Sequence, residues 1–114
     1  MKYALLIYVR EQEWADASPA ERADMSTEYE KFVHMLVERG AIRGGEELDL
    51  TTAATTVRRQ ADEVLVTDGP FAETNEQLGG FFLVEAADLD EALGYARQVP
   101  ARTVEVPCRH RHAH

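Results

Sequence analysis

The chain has 114 residues with a hydrophobic share of 45% and a charged share of 29%, the makeup of one soluble globular domain able to bury a core without disulfides or metals. Twenty-one acids against 12 lysines and arginines give a net charge of -9. That balance argues against nucleic acid and against anionic membranes, because both partners require clustered cations.

A single cysteine, Cys108, permits no intrachain disulfide and suits a reducing cytoplasm. No stretch approaches the ~20 apolar residues of a membrane span. The N-terminal segment is too short and tyrosine-rich to be the apolar region of a signal peptide.

In chain order, Tyr3 to Val9 is apolar on both alternating faces, as expected of a central strand covered on both sides. Arg10 to Ala17 reads as a polar loop carrying Trp14. Ser18-Pro19-Ala20-Glu21 sets an N-cap, a proline at the first helical position and a capping-box glutamate. Met25, Tyr29, Phe32, Val33 and Leu36 then recur at helical spacing, and Gly40 stands where a helix-terminating glycine belongs. A helix over about 19–39 follows. Ala41 to Leu48 reads as a strand kinked or bulged at Gly44-Gly45.

Thr55-Thr56-Val57-Arg58 and Val64-Leu65-Val66 form a hairpin turning near Ala61-Asp62. The acidic connection Thr67 to Leu78 comes next, with capping-box spacing at Thr74–Gln77 that predicts one helical turn. A strongly apolar strand occupies 79–86. Asp88 caps a second helix whose buried face is Leu89, Ala92, Leu93 and Ala96, and Pro100 marks its end. A last strand lies near 103–106.

This order is β-α-β, a hairpin insert, then β-α-β. It predicts an α+β fold, a ferredoxin-like split β-α-β sandwich with both helices on one sheet face. No third layer is left to cover the other face, so a second copy is its natural lid. A homodimer by sheet-on-sheet packing is expected.

The segments Met1–Tyr8, Arg43-Gly44-Gly45-Glu46, Thr55–Arg58, Val66–Glu73 and Asp88–Ala92 resemble the DGPF-type, YCII-related proteins. The Asp68-Gly69-Pro70-Phe71 block with Glu73 and the Gly79-Gly80 tail is the most specific part. The likeness runs over residues 1–107, leaving a histidine-rich tail at 108–114. It implies a dimeric α+β barrel and no particular reaction. Genes of such proteins often adjoin those of extracytoplasmic-function sigma factors, which implies a regulatory context. Two positions depart from the family's pattern. Asn75 stands where a lysine is usual, and the histidine-aspartate pair of the broader group would fall near Tyr29 and Glu38, so that pair is not carried over.

The residues offer several candidate sites. Asp68 follows a strand and precedes Gly-Pro. It is either a general acid/base at a cleft or a turn residue capping its own backbone. Gly69 and Pro70 would hold Asp68 and Phe71 in fixed directions, with Phe71 as an anchor in the core. Glu73 and Glu76 read as a helix-start acid pair rather than a cation site, so no metal is assigned. Arg43 would bind a ligand carboxylate or pair with Asp68 or Glu73. Tyr8 and Trp14 could line an adjoining pocket, and His34 should face solvent.

His110, His112 and His114 could take up a metal adventitiously or form a mobile end. There is no Walker, dinucleotide or zinc-protease motif, and no cofactor is implied. Two functions compete: binding or conversion of a small polar metabolite in a cleft bordered by Asp68, Gly69, Pro70, Phe71 and Glu73, with Tyr8 and Arg43 orienting it, or a non-catalytic accessory role beside a sigma factor.

Overall fold

The computed structural model describes residues 1–107, so the expectations for Cys108 and the histidine-rich tail lie outside the described residues. The fold is α+β. Its elements are β1 (Lys2–Val9), α1 (Glu11–Asp16), α2 (Pro19–Glu38), β2 (Ile42–Glu47), a short 3-10 turn (Thr51–Ala53), β3 (Thr55–Gln60), β4 (Glu63–Asp68), β5 (Gln77–Glu85), α3 (Leu89–Ala96) and β6 (Thr103–Glu105).

Four strands form one antiparallel sheet in the order β2-β5-β1-β6. Each β-α-β unit leaves a gap between its two strands, and the other unit fills it: β5 lies between β1 and β2, and β1 lies between β5 and β6. The most apolar strand, β1, is therefore central.

Alternation along β1 sends Tyr3, Leu5 and Ile7 into the core. There they join Phe32 and Leu36 from α2, Ala92 and Tyr95 from α3, and Val84 from β5. Phe32 meets Phe82 edge to face, with ring centroids 5.2 Å apart. Ala4, Leu6, Phe81 and Leu83 occupy the opposite sheet face, because Ala4 stands across from Leu83 and Leu6 across from Phe81. Within one chain they are only half covered. The molecule is 48 × 47 × 19 Å, a thickness of two layers, with no third over that face among the described residues.

Helix α2 begins as the sequence directs. Ser18 Oγ accepts from the Glu21 N–H at 3.1 Å, and Glu21 Oε1 accepts from the Ser18 N–H at 3.0 Å. At its end, the Gly40 N–H reaches Val37 O and the Ala41 N–H reaches Leu36 O. This Schellman pattern needs the left-handed φ of 63° at Gly40, which glycine adopts without strain.

Several local expectations differ from the structure. Residues 11–16 are a helix rather than a loop, although Arg10 gives it no side-chain cap. Tertiary contact supplies what the cap does not: the Arg22 guanidinium lies over the Trp14 ring at 5.2 Å and donates to Trp14 O. Residues 74–77 form no helical turn; Thr74 Oγ1 and Gln77 Nε2 instead donate to nearby carbonyls. In α3, Leu89 is exposed, and Tyr95 takes the buried place.

The hairpin β3-β4 forms a separate two-stranded sheet. Its strands pair from Thr55–Asp68 out to Gln60–Glu63, and neither packs extensively on any other element. It is an arm. It roots where the Gly69 N–H donates to Ala54 O at 2.6 Å and Thr56 Oγ1 donates to Gly69 O at 2.7 Å.

Candidate functional site

The ends of β1, β2 and β5 meet at one edge of the core, where the sheet runs out before the helices do. A cleft of about 920 Å³ opens there, a size typical of small-molecule sites. Helix α1 forms one wall through Glu13 and Trp14, and α2 forms a second through Met25 and Tyr29. The floor comes from Val9, Leu78, Gly80 and Phe82, and the segment Val99–Arg102 closes a side.

Polar contacts lock these walls together. The Glu11 N–H donates to Gln77 Oε1 at 3.0 Å, tying α1 to the start of β5. The Glu11 carboxylate accepts from the Thr51 N–H at 2.8 Å and from the Thr51 hydroxyl. Arg102 Nη2 lies 3.1 Å from Glu13 Oε1, which joins the 99–102 segment to α1. A rigid rim of this kind holds a binding site open without a ligand.

Two tyrosines reach the cleft. Tyr8 donates to Glu105 Oε1 at 3.0 Å; that hydrogen bond, then burial, raises its hydroxyl pKa. Tyr29 is half-buried, and desolvation, followed by the neighbouring Glu47 carboxylate, pushes its hydroxyl pKa up. Both hydroxyls stay protonated at neutral pH and can donate.

Glu76 also lines the cleft, and its Oε1 is fully buried with no hydrogen-bond partner. Glu85 Oε2 is likewise buried, but the Met1 ammonium lies against it. Glu76 Oε1 is thus the acceptor left unsatisfied among the described residues. Such an orphan calls for an explanation.

The residues singled out from sequence divide between cleft and arm. Tyr8 and Trp14 line the cleft. Asp68 ends β4 and is exposed, and Gly69, Pro70, Phe71 and Glu73 continue from it along the arm's root. None of these five is among the lining residues. Phe71 is 78% exposed and not a core anchor, because the arm does not fold back onto the sheet.

Arg43 donates to Gly40 O at 2.7 Å and to Ile42 O at 3.0 Å, bracing the turn after α2. It makes no ion pair with Asp68 or Glu73. His34 is exposed and lies 2.9 Å from Glu38, one helical turn on. Among the described residues no three His, Cys, Asp or Glu are grouped to hold a metal ion. No helix among them is long and apolar enough to cross a membrane.

Sequence reasoning did not single out Tyr29 as a functional residue, since its spacing assigned it to the buried stripe of α2. It also placed Glu76 in a helix start. The signal available was the Glu76-Gln77 pair directly before a strand, where one side chain must turn back to satisfy the preceding loop.

An uncharacterised protein of Rhizobium meliloti (strain 1021) is 42% identical over 99 residues, covering 87% of this chain and 80% of the relative. The model of the YCII-related domain matches residues 1–108, and the chain belongs to the YCII-related family.

Proposed function

We propose that this protein is a homodimer that binds a small polar metabolite in the cleft at the end of its sheet. The observation that carries the reading is the buried, unpartnered Glu76 Oε1 on the cleft wall. A carboxylate oxygen removed from water without a donor costs about 1–3 kcal/mol or more, and a ligand N–H or O–H would supply that donor once the Glu76 side chain turns into the cleft. Tyr29 stands ready as a donor of its own, and Trp14 and Phe82 offer apolar walls for the ligand's body.

The dimer follows from the half-covered Ala4, Leu6, Phe81 and Leu83. Packed against their counterparts in a second copy, they would complete a ferredoxin-like, dimeric α+β barrel. Within this reading Asp68 is not an acid or base for its own subunit's cleft. It belongs to the root of the arm, with Gly69, Pro70, Phe71 and Glu73.

A thermal-shift screen of polar metabolites tests the proposal. A true ligand at 100 times its Kd stabilises the wild type by about 2.7 kcal/mol, a rise of several degrees. The shift should be lost in Glu76→Ala and reduced in Tyr29→Phe. A ligand that stabilises Glu76→Ala as much as wild type would place binding elsewhere.

The accessory reading, a regulatory protein partner such as a sigma factor, draws support from one observation, the apolar side chains bared on the arm.

A further inference from the structure

Alternation along the arm puts Thr55, Val57, Arg59, Val64, Val66 and Asp68 on one face, because Val57 stands opposite Val66 and Arg59 opposite Val64. That face is apolar in the middle and cationic toward the tip. Val57 is 62% exposed and Val66 65%. An isolated two-stranded hairpin is marginal in water, and a bare apolar strand pair is an association hazard unless something covers it. The arm's own subunit leaves that face uncovered.

The complementary surface is the cleft mouth. Tyr8, Leu78 and Phe81 line the cleft from the sheet face that no helix covers. Beside them on the same face is the carboxylate of Glu46, opposite Phe81 in the ladder, which pairs with no cation among the described residues. Arg59 is equally unpaired there. An apolar face ending in a cation matches an apolar mouth flanked by an anion, and both belong to one chain. Reach is sufficient: six-residue strands extend roughly 20 Å, and the subunit is 19 Å thick.

We infer that the arm of each copy crosses to the other and roofs its cleft, setting Val57 and Val66 on Tyr8 and Phe81 and bringing Arg59 to Glu46. The two-fold axis makes the exchange mutual. The inference rests on the homodimer proposed above and adds that each binding site is incomplete without the partner's arm. Asp68, on the same face as the valines, then borders the cleft of the other subunit.

The test places a photo-crosslinking benzoylphenylalanine at position 57 of the full chain, in dimers co-refolded from light and nitrogen-15-labelled subunits. Mass spectrometry should find mixed-isotope adducts joining position 57 to segment 46–50 or 78–81. Val57→Glu with Val66→Glu should weaken dimerisation at least tenfold in light scattering while leaving far-UV circular dichroism unchanged, since both side chains are exposed in the single chain.

Dimers giving only same-chain adducts, adducts elsewhere, or undiminished association in the double variant would overturn the arm exchange and leave the dimer standing. A chain monomeric at every concentration would overturn both. An arm that cross-links a different protein in cell extract, in place of its own copy, would assign the surface to that protein instead.

Discussion

Tyr29 shows how one side chain links fold to site. It sits on the helical stripe that packs the core, and one turn beyond it Phe32 is fully buried. Its hydroxyl stays at the cleft edge, where burial and Glu47 favour the neutral form. The sign of the linkage is set by that direction. A tyrosine with a raised pKa stabilises the fold fully below its unfolded value near 10, and this contribution is lost as pH climbs through the folded value. Melting temperature should therefore fall as pH rises above about 10 in the wild type, and less steeply in Tyr29→Phe. Identical alkaline slopes in the two proteins would remove Tyr29 as the cause.

At the scale of elements, α2 and the arm are opposites. Helix α2 is written locally: Ser18, Pro19, Glu21 and Gly40 each satisfy a terminal backbone group or set its geometry. Ser18→Ala removes the hydroxyl half of the box, the acceptor for the Glu21 N–H, and should cost about 1 kcal/mol, a drop of roughly 5 °C in a domain this size. The Ser18 backbone N–H, then its hydroxyl, hold the Glu21 carboxyl below its usual value, so the carboxylate half of the box should fade as pH falls below 4.5.

The arm is locally encoded in its strands, but its turn carries backbone strain. Ala61 takes a φ of 50°, a left-handed position that costs a residue with a Cβ about 1–2 kcal/mol. Ala61→Gly should relieve part of that strain and slow amide exchange across Thr55–Asp68; faster exchange would show the turn to be relaxed already.

The same contrast explains what the sequence disclosed. The helix boundaries, the hairpin turn near Ala61-Asp62 and the order of strands were legible because each depends on neighbours within a few residues. The placement of Phe71 was not. Its aromatic ring argued for burial, and only the arm's projection away from the sheet decides otherwise. Helix α1 went unseen because its support comes from Arg22, a residue of the next helix. The cleft is the extreme case: Tyr8, Tyr29, Glu47, Glu76 and Arg102 share it through tertiary packing alone, and no short window of sequence contains two of its walls.

For the molecule as a whole, the apolar balance is uneven. One sheet face holds the core, the other holds a half-covered apolar strip, and the arm bares valines in addition. A monomer with this distribution exposes more contiguous apolar surface than small soluble proteins usually tolerate. The net charge of -9 limits indiscriminate association among such copies, and specific pairing must then come from shape and from the placement of cations such as Arg59.

The central position of β1 has a consequence for how the chain acquires its fold. The first strand made waits for both its neighbours, since Lys2 pairs with Glu85 and Leu6 with Glu105. Every ladder it joins closes a loop of most of the chain, the condition under which folding is slow. Until β5 and β6 have been synthesised, the most apolar strand among the described residues has no sheet to enter.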